Sequence, residues 1–184
     1  TMFKGLAEDI GHVEVLIHSI AFADRDDLGG RFVDTGREGF RQALDISAYS
    51  LVSVTRHCTP LMTDNGGSIL TLSFQASTRV FPGYNIMGTA KAALENEVRQ
   101  PAFDLGRDGI RVNAVSAGPL DTLSSRVISK YRDMKTVHAE RSPLGRNITH
   151  QEVADTALFL CSPMASGITG EILHVDSGYH VMGI

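Results

Sequence analysis

FPGYNIMGTAKAALENEVRQPAFDLGRDGIRVNAVSAGP, residues 81–119, carries two periodicities in succession. From Tyr84 to about Leu105 the apolar residues Ile86, Met87, Ala90, Ala93, Leu94, Val98, Ala102 and Leu105 form one stripe of a helix. GRDG (106–109) stops that pattern. IRVNAVSAGP (110–119) then reads as a buried strand that ends in Gly-Pro. Pro101 lies inside the helical pattern and removes a hydrogen bond to Glu97 at a cost of roughly 3 kcal/mol. A kink or an early end is therefore expected near 99–100.

The same alternation continues outward. VEVLIHSIAFA (13–23) opens as an apolar run suited to a buried parallel strand. TGRE (35–38) has the Thr-x-x-Glu form of a capping box, ahead of a long helix reaching about Met62. DNGG (64–67) is turn chemistry, and SILTLSF (68–74) a second strand. Residues 120–147 have a helical middle. THQE (149–152) is a second capping box opening VADTALFLC, and GEILHVDSG (170–178) is a last strand. The order β-α-β-α-β-(α)-α-β predicts a doubly wound parallel sheet with helices on both faces, in one domain spanning 1–184. Ligands of such sheets bind at the carboxyl ends of strands, which points to 18–23, 73–84 and 117–123.

Composition excludes several classes. The net charge of −4 offers no basic face for a nucleic-acid backbone. No apolar run approaches the ~20 residues that span a bilayer. Cys58 and Cys161, the two cysteines, sit in apolar helical segments and read as free thiols. The histidines show no metal spacing, so no metal site is expected.

Tyr84 and Lys91 are seven residues apart. In a helix that separation falls within ~20° of two full turns, about 10 Å along the axis. They would share a face with Gly88 and Glu95, away from the apolar stripe. Geometry leaves open a solvated polar edge or two members of a site. Gly88 costs a helix interior roughly 1 kcal/mol relative to Ala, which suggests a close neighbour at the backbone. A lysine ammonium near the phenol would lower its pKa and hold a polyol.

At these residues the chain resembles the enoyl-acyl-carrier-protein reductases of type II fatty acid synthesis, a divergent branch of the short-chain dehydrogenase/reductases. VLIHSIAFA (15–23), TGREGF (35–40), DISAYS (45–50), YNIMGTAKAALE (84–95), IRVNAVSAGPLDTL (110–123), FLCSPMASGITGE (159–171) and HVDSGY (174–179) carry the resemblance in order. It implies a Rossmann-like fold that uses NADH to reduce the trans-2 double bond of an enoyl thioester on acyl-carrier protein. It makes Tyr84 and Lys91 the catalytic pair, with Lys91 on the nicotinamide ribose. His18, Ser19, Ile20 and Ala21 then lie near the adenosine side of NADH, and Leu72 and Ser73 beside the ribose. Ala117, Gly118, Pro119, Leu120 and Thr122 close over nicotinamide and pyrophosphate. Phe74, Tyr84 and Met87 touch substrate, and 120–147 is a mobile substrate-covering segment. It further implies a homotetramer burying helices 36–62 and 84–105, in the cytoplasm or, in a plant, the plastid stroma.

The chain also departs from that pattern. The Gly-rich phosphate turn of the family has no counterpart among the 184 residues, and some 70–80 residues of its first half are expected to precede this stretch. Phe74 stands where many members carry tyrosine, and serves equally as core or as substrate wall. Asp121 stands where arginine is common. Ser47 and Tyr49 shape the site floor or merely pack. Two other readings follow. One is a carbonyl-reducing short-chain dehydrogenase, which would place its lysine at position 88. The other is a catalytically silent piece serving only in oligomerisation.

Overall fold

The computed structural model describes residues 2–122, 125, 128 and 131–183. Among them four parallel strands, β1 (Val15–His18), β2 (Gly67–Ser73), β3 (Ile110–Ala117) and β4 (Ile172–Val175), lie side by side in chain order. The register pairs His18 with Thr71, Ser73 with Ser116, and Ser116 with His174. The expected α/β order is therefore observed.

Among the described residues six α-helices accompany the sheet: α1 (Met2–Ile10), α2 (Arg37–Leu44), α3 (Ser50–Cys58), α4 (Ile86–Leu105), α5 (Tyr131–Arg141) and α6 (His150–Cys161). Alternate strand residues point to opposite faces. Ile69, Val112 and Ala114 meet Leu51, Leu94 and Val98 of α3 and α4 on one face. Leu70 and Val115 meet Leu160 of α6 on the other. The doubly wound arrangement thus has a core on each side of the sheet. Among the described residues no helix is long and apolar enough to cross a membrane.

Several local expectations are corrected. β1 is an edge strand, and its residues Val15 and Ile17 are exposed on the α6 face because α6 sits over β2, β3 and β4. The TGRE box does not form. Gly36 is the N-cap of α2, Thr35 donates its hydroxyl to Phe32 O, and Glu38 pairs with Arg41 instead. The THQE box does form, with Thr149 and Glu152 exchanging both hydrogen bonds. Helix α4 passes through Pro101 to Leu105, since burial of Val98, Ala102 and Leu105 in the core offsets the lost hydrogen bond. Helices α2 and α3 join through one π-helical turn, Asp45–Tyr49. Both cysteines are free.

Candidate active site at the carboxyl end of the sheet

Tyr84 does not lie on α4 itself. Asn85 takes a positive φ of 36°, so the helix begins at Ile86, and Tyr84 sits on the turn before it. The geometry of two helical turns therefore does not describe the pair. Asparagine tolerates this conformation better than most residues, and its side-chain amide donates to Gly29 O, tying the 24–30 loop to the Tyr84 turn. Gly88 explains itself: a Cβ there would stand 2.9 Å from Ala76 O in the turn after β2. The close neighbour anticipated from the glycine is backbone, and no lysine fits at that position without moving it.

Lys91 is buried, with 7% of its surface exposed. Its Nζ donates to Leu72 O at 2.7 Å. Among the described residues no other acceptor stands at Nζ, so two of its three N–H donors remain for a ligand. Burial brings its pKa from 10.5 down to about 8, against the opposing pull of Glu95. The next strand residue, Ser73, donates to Glu95 Oε1 at 2.6 Å.

His18 closes the same floor from β1. Thr71 Oγ1 lies 2.9 Å from Nδ1, and Ser50 Oγ lies 2.8 Å from Nε2. The Ser50 hydroxyl proton is directed to Ile46 O at 2.6 Å, so Nε2–H donates to Ser50 and Nδ1 accepts from Thr71. Burial, with Lys91 nearby, pulls His18 down to about 4, and the ring is neutral at pH 7. It is a structural imidazole that fixes the end of β1.

Tyr84 is held in an aromatic cluster. Phe74 packs edge-on against its ring at 5.0 Å and against Phe81 at 4.6 Å. Phe74 therefore belongs to the wall around Tyr84 rather than to the sheet core. Burial, then the neighbouring Tyr131, pushes the Tyr84 phenol well above its usual value. The expected lowering by Lys91 is overturned, because desolvation of the phenolate dominates. Tyr84 is a neutral hydrogen-bond donor.

The loop segments converge here as well. Ser19, Ile20 and Ala21 follow β1 and are exposed. Their neighbour Phe22 is anchored through both its backbone N–H and its carbonyl to Ser47 Oγ, each at 2.9 Å. Ser47 sits on the π-helical turn and also lies 3.7 Å from Met87 Sδ, which leaves Met87 buried beneath the loop. Gly118 and Pro119 are buried after β3, and a Cβ at Gly118 would meet His138 at 3.1 Å. Ala117 ends β3, and Leu120 O accepts from the Tyr131 hydroxyl. Thr122 and Ser125 bond each other through backbone and side chain. Asp121 pairs with Lys135 at 2.5 Å. Of residues 120–147, expected to cover the substrate, 123, 124, 126, 127, 129 and 130 lie outside the described residues.

A cavity of about 490 Å³ opens beside the aromatic cluster, between Val80–Phe81–Pro82, Met134 and Val137 of α5, and Tyr179. It touches the cluster through Phe81 rather than through Tyr84 or Lys91. Sequence reading missed this cavity, Asn85 and the anchoring by Ser47. An asparagine directly after the tyrosine was the one visible signal. Among the described residues no three His, Cys, Asp or Glu side chains group to hold a metal.

The family model described as Enoyl-(Acyl carrier protein) reductase matches residues 1–180. The chain is 47% identical over 181 residues to the NADH enoyl-acyl-carrier-protein reductase of Aquifex aeolicus, covering 98% of this chain and 67% of that protein. It is 50% identical over 181 residues to that of Bacillus cereus, covering 98% and 70%. The solved B. cereus enzyme, with NADP+ and indole naphthyridinone, superposes with a TM-score of 0.96 at 50% identity, covering 100% of this chain and 71% of that one. The Anaplasma phagocytophilum enzyme in complex with NAD gives 0.95 at 49%, covering 100% and 70%. With this match across the sheet, the Tyr84 turn and α4, the chain belongs to the enoyl-acyl-carrier-protein reductase family.

Proposed function

We propose that this chain carries the active-site part, some two-thirds, of an NADH-dependent enoyl-acyl-carrier-protein reductase, which saturates the trans-2 double bond of enoyl thioesters in fatty acid elongation. The observation that carries the reading is Lys91. A buried ammonium with two uncommitted donors, at the carboxyl end of a parallel sheet, suits the vicinal hydroxyls of a ribose. Bound NADH supplies the hydride for the β-carbon.

The chain's own residues account for the rest. As the β-carbon is reduced, electron density moves onto the thioester oxygen. Tyr84, neutral because burial disfavours its phenolate, donates a hydrogen bond to that oxygen, where the charge develops. Phe74 and Phe81 fix the ring. Lys91 grips the ribose from the β2 side with Leu72 and Ser73 beneath it. Ser19, Ile20 and Ala21 border the adenosine side, held through Phe22 and Ser47. Ala117 to Leu120, with Thr122, form the wall over nicotinamide and pyrophosphate. Met87 supports the substrate wall from below. Residues 120–147, with α5, cover the substrate and exclude water when closed. We read α2–α3 and α4 as homotetramer faces, on which Phe40, Tyr49 and Phe103 are exposed.

The carbonyl-reducing alternative loses its support: position 88, where it would place its lysine, abuts Ala76 O. The test is product analysis. The protein is incubated with NADH and a crotonyl or longer enoyl thioester of acyl-carrier protein, and separately with a β-ketoacyl thioester. Saturation of C2–C3 with loss of nicotinamide absorbance is expected only for the enoyl substrate. Turnover of the ketone instead, or of neither, overturns the proposal, the latter outcome favouring an oligomerisation role.

A further inference from the structure

A neutral lysine would grip a ribose poorly, and burial works against its charge. We infer that Glu95 is a positioning residue for Lys91: it is the buried counter-charge that keeps the ammonium ionised, and through Ser73 it fixes the strand end that the ammonium grips. The inference rests on the cofactor-holding role proposed above for Lys91.

The geometry is two separate tethers from one helix turn to the end of one strand. Lys91 and Glu95 lie one turn apart on α4, each 7% exposed. Lys91 reaches the carbonyl of Leu72 at 2.7 Å, and Glu95 accepts from the hydroxyl of the adjacent Ser73 at 2.6 Å. One helix turn thus clasps the last two residues of β2. The hydrogen bond alone does not call for a carboxylate, because a glutamine oxygen would accept from Ser73 equally well. A full negative charge buried without purpose would be costly. Its use is electrostatic, since Glu95 raises the proton affinity of Lys91 while burial lowers it.

The other charged and titratable groups around this pair come from neighbouring strands. From β1, His18 is neutral and adds no competing charge. From β4, His174 stands beside Ser116, which in turn neighbours Ser73. Burial and His180 lower its proton affinity, while Asp176, Glu95 and Glu171 raise it. Lys91 is the group in this floor whose charge matters at neutral pH, and Glu95 is the acid on its own helix that supports it.

The test reads Lys91 directly, without NADH. The chain has four lysines, Lys4, Lys91, Lys130 and Lys135, so ¹⁵N-labelled lysine gives an assignable titration by NMR. In Glu95→Gln the Lys91 midpoint is expected to fall by about half a pH unit or more. Glu97→Gln, an acid elsewhere on α4, is expected to leave it in place. An unchanged midpoint in Glu95→Gln overturns the inference. So does an equal fall in both variants, which would mark a general loosening of the helix. If Glu95→Gln fails to fold, Glu95→Asp decides: withdrawing the acid by one methylene is expected to lower the Lys91 midpoint, and an unmoved midpoint overturns the inference. A wrong cofactor assignment would leave these titrations as expected while Lys91→Ala left NADH affinity unaltered.

Discussion

The two walls beside Tyr84 are built in different ways. The frame beneath it is the end of β2 under α4, where Lys91, Glu95 and Ser73 are buried and bonded to backbone or to one another. The cover beyond it is α5, whose one buried residue among those described is His138, stacked on Tyr179 at 4.4 Å. The rest of the cover is held by the surface pair Lys135–Asp121, the Tyr131 hydroxyl on Leu120 O, and Asn147 on Lys135 O at 3.2 Å. Among the described residues the frame is tied by buried contacts, whereas α5 has one buried residue, and segments with fewer buried contacts open locally at lower cost. The proposed function calls for both: a fixed grip on the cofactor and a lid that admits an acyl chain.

That contrast can be broken at graded sites. The largest effect belongs to Tyr84, where the walls meet. Tyr84→Phe keeps the ring in its aromatic cluster and removes one donor, so kcat for enoyl reduction is expected to fall about 10²-fold or more with NADH affinity unchanged. Steady-state kinetics beside a binding titration check the split. Next comes Ser47→Ala in the frame. It removes both Ser47 bonds to the solvent-facing Phe22 and is expected to cost about 0.5–1.5 kcal/mol in denaturant unfolding and to weaken NADH binding a few-fold. Smallest is Lys135→Met in the cover. Its ion pair is exposed on the Asp121 side, so the expected loss is under about 1 kcal/mol and shrinks in high salt. Thermal melts at two salt concentrations read it. A Lys135 effect exceeding that of Ser47 would reverse the contrast.

What was legible in the sequence follows the same division. The apolar runs of β2 and β3 and the stripe of α4 are dictated by burial on both sides of the sheet, so pattern alone located them. The second capping box was legible because Glu152 serves two partners at once: Oε1 accepts from Arg146 at 2.6 Å while Oε2 still accepts from the Thr149 N–H at 2.8 Å. The first was not, because Arg41 and Phe32 O compete for Glu38 and Thr35. The positive φ at Asn85 moved Tyr84 off the helix, and no periodicity encodes a single backbone dihedral. The π-helical turn that aims Ser47 at Phe22 is set by tertiary packing, as is the cavity at Phe81. The phenol's shift was misjudged for a related reason: the desolvation that raises it depends on how completely Phe74 and Phe81 enclose the ring.

The proposed function needs Lys91 as a charged grip within a rigid frame, and the titration of this lysine has two signs. The lysine's pKa falls from 10.5 to about 8 on folding, so the unfolded chain binds more protons between those values and stability rises with pH across that window. NADH binding runs the other way, because above about 8 the ammonium is lost. The most direct test is calorimetric titration of NADH into the parent protein and Lys91→Ala across that range. The prediction is binding near neutrality that weakens as pH climbs through about 8 in the parent, and weaker binding without that limb in Lys91→Ala. Equal affinity in the two proteins, or a parent affinity indifferent to pH through that range, would contradict it.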